Sequence, residues 1–260
     1  TLGPFELRYD AAARTLSGVV PEGLAPVYRI PLVLRRVPRL EAPPRPEPGG
    51  TLVQPQWTYE AGAALWAGPT HADGLVYVGG EDGQVHAVDA ATGAKRWSYR
   101  AGGAIRTRPT ASGGAVYLQA DDGFLYRLSA ADGRLAWRVK VVEKPIERLP
   151  FDNPKSRYDR FGSDVTVSGD RLYLGTHDGT VLALEAGTGA VQWRFATGDA
   201  VLAAPAVAAG RVHVGSFDKH LYALDAGTGS PLWRRDTRGA VVSTPAVAGE
   251  LVLVGTRAYD

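Results

Sequence analysis

From residue 51 onward the chain alternates short apolar, β-branched or aromatic runs with clusters of Gly, Asp, Thr and Pro. The stretch LAAPAVAAGRVHVGSFDKHLYALDAGTGSPLWRRD, Leu202 to Asp236, shows the texture. Period-two alternation bounded by turn residues predicts strands, since a helix would repeat its apolar positions roughly every 3.6 residues. Four strands fit this stretch: A (Ala203 to Val207), B (Arg211 to Gly215), C (His220 to Leu224) and D (Leu232 to Arg235). The B-to-C connections carry Asp82-Gly83, Asp122-Gly123 and Asp178-Gly179, pairs suited to the positive φ angles of tight hairpins. The C-to-D connections carry Thr92-Gly93, Asp132-Gly133, Thr188-Gly189 and Thr228-Gly229, so all connections within a unit read as antiparallel hairpins.

The pattern repeats. AVDAATGAKRW, RLSAADGRLAW, ALEAGTGAVQW and ALDAGTGSPLW end at Trp97, Trp137, Trp193 and Trp233, and Trp57 stands one period earlier. The intervals are 40, 40, 56 and 40 residues, a regular unit with an insertion of 16 residues between Trp137 and Trp193. Pro69, Pro109, Pro205 and Pro245 fall at one point of strand A, and Pro cannot donate to a ladder, so strand A is expected at a sheet edge. Repeated four-stranded antiparallel sheets with one protected edge describe an all-β fold, a β-propeller, with the strand-D tryptophans packed between neighbouring blades as structural residues.

Composition narrows the function classes. The 260 residues are 45% hydrophobic, enough to bury a large core. Net charge is +2, and residues 49–260 carry equal numbers of acids and bases. No basic stripe with interleaved aromatics is present, so nucleic acid is not an expected partner. No run approaches the roughly 20 apolar residues of a membrane span. TLGPFELRYD lacks the charged and apolar regions of a signal peptide, and the chain holds neither Met nor Cys. Without Cys, disulfide frameworks, Cys-ligated zinc and thiol nucleophiles are excluded.

LVYVGGEDGQVHAVDAATGAKRWSY and RVHVGSFDKHLYALDAGTGSPLWRR resemble the pyrroloquinoline-quinone (PQQ)-like propeller repeat. The resemblance covers about Gln56 to the C-terminus and implies a bacterial protein of the periplasm or cell envelope. The same repeat builds quinoprotein dehydrogenases and the lipoprotein propeller of the outer-membrane assembly machine, so it speaks for fold more than function. Residues 1–40, with FELRYD and VYRIPLVLRRV, read as the β-rich tail of a preceding module, and 41–50 (EAPPRPEPGG) as a stiff Pro-rich linker. Residues 51–260 read as four full repeats plus partial ones. QPQW at Trp57 is expected as a lone strand D, and VSTPAVAGELVLVGTRAYD as strands A and B cut off in mid-blade.

Candidate functional residues follow from breaks in the repeat. Aligning the units on the strand-A prolines puts Gly68, Arg108, Asp164, Ala204 and Thr244 in one column. Trp66, Arg106, Gly162, Leu202 and Val242 fall two residues before. Arg108 and Asp164 interrupt a small-residue column on adjacent blades and are expected to meet near the channel mouth, with Arg106 and Trp66 on the same face. Two readings stand: a structural salt bridge, or an anion or carboxylate site using paired arginines. The insertion, Val141 to Gly162, is a D-to-A connection that brings Lys144, Arg148, Lys155, Arg157 and Arg160 to that face, either as a packed cap or as a contact for a ligand or partner. His177, Lys219 and His220 stand in the B-to-C loops, and Arg257 in the last unit completes the candidate set. His86 and His213 lie inside strands and read as packing residues.

No catalytic residue or metal ligand is assigned. A quinoprotein dehydrogenase needs PQQ, a Ca²⁺ held by carboxylate and amide oxygens, and an aspartate base; many also use a vicinal cysteine pair. This chain has no Cys, and its only Asn is Asn153. No cofactor is therefore expected, PQQ and Ca²⁺ entering only under the dehydrogenase reading. The favoured reading is a non-catalytic binding or scaffold module with a protein partner. The alternatives are a PQQ- and calcium-dependent dehydrogenase and a tethered domain that senses a small ligand.

Overall fold

The structure, a computed structural model, describes residues 7–10, 15–18, 55–143 and 162–257. The linker 41–50, the run VYRIPLVLRRV and residues 144–161, with Arg157 and Arg160, lie outside the described residues. The chain divides into two units, Thr1–Gln54 and Pro55–Asp260. In the first, β1 (Leu7–Asp10) and β2 (Thr15–Gly18) pair as an antiparallel hairpin with Leu7 opposite Gly18.

The second unit contains four blades. Blade one is β3 (Thr70–Ala72), β4 (Leu75–Gly79), β5 (Gln84–Asp89) and β6 (Lys95–Arg100). Blade two is β7 (Thr110–Ser112), β8 (Ala115–Gln119), β9 (Phe124–Ser129) and β10 (Leu135–Lys140). Blade three is β11 (Thr166–Ser168), β12 (Arg171–Gly175), β13 (Thr180–Glu185) and β14 (Val191–Ala196). Blade four is β15 (Ala206–Ala208), β16 (Arg211–Gly215), β17 (His220–Asp225) and β18 (Pro231–Asp236). Within each blade sequential strands are antiparallel neighbours, with strands A and D at the two edges. The chain continues through β19 (Ala240–Val241), β20 (Ala246–Ala248), β21 (Leu251–Leu253) and β22 (Thr256–Arg257). There β20 pairs with β21 and β19 with β22. Among the described residues the fold is all-β, and the sheets of the second unit are propeller blades that are not closed into a ring.

Two expectations need correction. Strand A of blade four runs Ala206–Ala208, not Ala203 to Val207, because the ladder begins only after Pro205, which has no N–H to donate. Trp57 lies in no strand, since no strand among the described residues pairs with its backbone. Its indole nevertheless behaves as its repeats do. Trp57 Nε1 donates to Ala90 O at 2.9 Å, as Trp97 does to Ala130 O, Trp137 to Gly187 O and Trp193 to Ala226 O at 2.9–3.1 Å.

Each indole covers the C-to-D glycine of the next blade. A Cβ on Gly229, whose φ is +74°, would stand 2.5 Å from the Trp193 ring. That glycine is required twice, by the left-handed turn and by the indole pressed on it. A bulge next to each of Trp97, Trp137, Trp193 and Trp233 shifts the C–D register. It sets the ring opposite Ala87, Ala183 or Ala223, and opposite Arg127 in blade two.

The core lies between blades rather than on one side of each. One cluster joins Tyr77, Val85 and Trp97 to Val116, Leu118 and Leu128, a second joins Tyr117 and Leu125 to Leu172 and Leu182, and a third joins Tyr173, Val181 and Trp193 to Val212 and Leu224. Strands B and C are therefore buried on both faces, all five residues of β8 included, where simple alternation would leave one face wet. Fully burying each leucine contributes about 1.5–3 kcal/mol against about 1 kcal/mol net for a hydrogen bond, so apolar blade faces dominate stability and polar contacts fix the register.

Candidate functional site

The residues just before each strand A converge. One cavity of ≈ 350 Å³ is lined by Trp66, Gly68, Arg106, Arg108, Gly162, Asp164, Leu202, Ala204, Val242 and Thr244, together with Ala67 and Ala203. All ten positions of the two aligned columns thus face one space.

Arg108 and Asp164 meet across adjacent blades. The Arg108 backbone N–H donates to Asp164 Oδ1 at 2.7 Å, and Nε lies 3.3 Å from Oδ2. Burial raises the Asp164 pKa, while the Arg108 N–H and guanidinium act against that rise without cancelling it. Arg106 is 11% exposed and bridges two B-to-C loops, its Nη2 donating to Glu81 Oε1 at 2.8 Å and its Nε to Asp121 Oδ2 at 2.9 Å. Burial alone would lower its pKa, but the two carboxylates outweigh it and hold the guanidinium above its usual value. Trp66 Nε1 donates to Glu81 Oε2 at 3.3 Å. Both guanidinium groups that an anion would use are thus already engaged by carboxylates.

His177 lines a narrow crevice of ≈ 20 Å³ that shares Arg106, Gly162 and Leu202 with the cavity. Lys219 and His220 sit elsewhere, at the rim of blade four. Lys219 takes φ +69° in the turn position held by Gly83, Gly123 and Gly179 in the other blades. His220 Nδ1 lies 2.9 Å from Asp218 O. Arg257, in β22, pairs through its backbone with Ala240. Buried His86 and His213 have pKa values lowered by burial; His86 Nδ1 meets Tyr59 Oη at 2.9 Å and His213 packs on Trp233.

Sequence reasoning missed Gln119 and Ser163. Gln119 Nε2 donates to Ser163 O at 2.7 Å and to Gly175 O at 3.1 Å, and the Ser163 hydroxyl donates to Ala203 O and accepts from Gly175 N–H, both at 3.0 Å. The signal was a broken column, because Gln119 stands where strand B ends in Gly79, Gly175 and Gly215 in the other blades. Those glycines lie under Ile105, Val201 and Val241, and a Cβ on any of them would come within 2.1–2.3 Å of the covering side chain. Among the described residues no three His, Cys, Asp or Glu side chains are grouped to hold a metal.

Four-stranded blades joined rim to rim around a shared cavity define a PQQ-like repeat propeller. The sequence profile of the family described as outer membrane protein assembly factor BamB matches residues 50–154 and 150–259, and the chain belongs to that family. No curated protein matches the sequence. Solved structures similar to it include BamB from Moraxella catarrhalis, with TM-score 0.65 and 20% identity over 75% of this chain and 60% of that one. Quinohemoprotein alcohol dehydrogenase from Comamonas testosteroni is similar with TM-score 0.58 and 19% identity over 74% of this chain and 39% of that one. The computationally designed protein Ika8 is similar with TM-score 0.61 and 21% identity over 72% of this chain and 54% of that one. At these identities the likeness concerns the fold, and the chain spans less than two thirds of each of these proteins.

Proposed function

We propose that this chain is a non-catalytic scaffold of the bacterial cell envelope that presents its loop face to a protein of the outer-membrane assembly machinery. The observation that carries this reading is the charge pattern around the central cavity. Arg106 is matched by Glu81 and Asp121, and Arg108 by Asp164. The remaining lining is Trp66, Thr244 and small or aliphatic residues. Such a lining binds blades together, its two guanidinium groups held by carboxylates of neighbouring turns. The family description, assembly factor, supplies the partner class. Among the described residues no helix is long and apolar enough to cross a membrane.

The likeness to a quinohemoprotein alcohol dehydrogenase keeps a second reading in view, a PQQ- and Ca²⁺-dependent oxidation. One experiment separates them. The full chain is titrated with PQQ and Ca²⁺ by absorbance and assayed for dye-linked alcohol oxidation, in parallel with binding to purified outer-membrane assembly proteins. Saturable cofactor binding with turnover overturns the scaffold reading; a saturable protein complex without turnover supports it.

A further inference from the structure

The rims of blades three and four leave a groove of ≈ 590 Å³ that shares no residue with the central cavity. Phe195 to Gly198, at the end of β14, and Pro231 to Arg234, of β18, line it, and Asp218, His220 and Tyr222 complete it. β14 and β18 are outer strands, each paired on one side only. Phe195 and Ala196 of β14 and Pro231 to Arg234 of β18 border the space along edges paired on one side only, whereas the Thr197 and Gly198 amides beyond β14 are already taken by Gly179 O and Asp218 Oδ2. That geometry suits an extended chain, which can use main-chain hydrogen bonds for affinity and alternate side chains for specificity.

The chemistry of the walls selects the occupant. Asp218 turns its charge inward, accepting from Tyr222 Oη at 2.6 Å, Gly198 N–H at 2.7 Å and His220 N–H at 3.0 Å. What remains for an occupant is an apolar surface of Phe195, Trp233 and Leu232, the last 48% exposed, with the rim of the buried Tyr222 at its floor, beside Arg234. Among the described residues Arg234 makes no ion pair, and neither do the exposed Lys219 and Arg238 beyond the His220 end. These two cations are tied to each other's neighbourhood, because the Thr237 amide and hydroxyl both donate to Lys219 O, at 2.9 and 2.8 Å.

The matching junction of blades one and two is built differently. Phe124 stands in the place of His220, and Arg138, in the place of Arg234, lies with its guanidinium 5.0 Å from the Phe124 ring centroid. There the cation covers an aromatic face; in blade four the histidine replaces that face and Arg234 stays available.

We propose that the groove between blades three and four binds an extended acidic peptide segment of a partner protein, an apolar side chain packing on Phe195, Tyr222 and Leu232 while its carboxylates pair with Arg234 and Lys219. The proposal rests on the scaffold reading in expecting a protein ligand, and it locates that ligand away from the central cavity. The test is fluorescence anisotropy with the full chain and a fluorescein-labelled peptide alternating glutamate and leucine, compared with the lysine–leucine counterpart. The acidic peptide binds, the basic one does not, and Arg234→Glu weakens binding about tenfold or more. Arg96→Glu, an equal charge change on an exposed residue of blade one, leaves binding unchanged. His220→Phe rebuilds the blade-two arrangement within a proven framework and weakens binding without unfolding. Equal loss with Arg96→Glu and Arg234→Glu, or no binding of the acidic peptide, overturns the proposal. Undiminished capture of outer-membrane assembly proteins by Arg234→Glu also overturns it while leaving the scaffold reading standing.

Discussion

The crossovers between blades come in two designs. The short ones, from blade one to two and from three to four, lay Ile105 or Val201 on a strand-B glycine, Gly79 or Gly175. They are also latched, since Gly102 N–H and Tyr126 Oη both donate to Asp122 Oδ2, and Gly198 N–H and Tyr222 Oη to Asp218 Oδ2. Among the described residues the long crossover from blade two to three shows neither device. Gln119 replaces the glycine, Leu182 replaces the tyrosine, and Asp178 accepts from Thr176 within its own turn. Blades two and three are instead joined at this level by Gln119, Ser163 and the Arg108–Asp164 pair. The comparison teaches why the candidate cavity is polar on one side: at the end of blade two's strand B the Gln119 amide satisfies the Ser163 and Gly175 carbonyls, and the Arg108–Asp164 pair stands beside it.

The largest test of this contrast uses the tryptophans. Trp193→Ala, at the latched junction, is expected to lose about 3–5 kcal/mol by urea denaturation. Trp137→Ala, at the long-crossover junction where the indole is only half-buried, loses measurably less. Equal losses would show that the two junctions are energetically alike.

Next in size, Gly175→Ala places a methyl 2.1 Å from Val201 Cγ1 and is expected to cost about 1–3 kcal/mol by overpacking. Gln119→Ala costs a similar ~1–3 kcal/mol for the opposite reason, leaving the Ser163 and Gly175 carbonyls without their donor. Adding Val201→Ala separates them. In a double-mutant cycle it couples favourably to Gly175→Ala and not to Gln119→Ala.

The two carboxylates differ in sign. Burial opposes the charge of Asp218, but hydrogen bonds from Tyr222, Gly198 and His220 outweigh it and hold its pKa below the ordinary 3.8. Its stabilisation is therefore present above pH 3.8 and disappears as pH falls through the lower folded value. Burial raises Asp164 above 3.8, so its contribution is present below that pH and is lost as pH rises through the folded value. At pH 7, Asp218→Asn is expected to lower stability by about 1–3 kcal/mol, whereas Asp164→Asn changes it by less than ~1 kcal/mol. Melting temperatures from pH 3 to 7 check both, and a larger loss for Asp164→Asn would reverse the assignment. The smallest effect belongs to the alkaline limb. Burial and Asp218 push the Tyr222 phenol from 10.0 up to about 12, so its contribution is intact below pH 10 and fades toward pH 12. Tyr222→Phe should remove that limb at a cost of about 1 kcal/mol.

Much of this was legible in the residues. Strand B of blade four runs Arg211–Gly215 as read from the alternation, and the tryptophan spacing marked the blades. The two columns before strand A located the lining of the cavity because a repeat turns alignment into geometry. What could not be read was occupancy: nothing in the spacing of Arg106 says that Glu81 and Asp121, from two different turns, would both reach it. Trp57 shows the same limit, since its indole contact with the blade-one turn forms although its backbone lies in no strand. The groove at His220 was invisible as well, because a single Phe-to-His change matters only once Arg138 is seen lying over Phe124.

The tryptophan-on-glycine contact makes each blade a reader of its successor. Because the indoles of Trp57, Trp97, Trp137 and Trp193 each press on the C-to-D turn of the next blade, the described blades behave as a one-dimensional array with nearest-neighbour couplings. Loosening a terminal blade then propagates by one interface at a time, and a partner gripping two adjacent rims would act on the array as a clamp on a zipper.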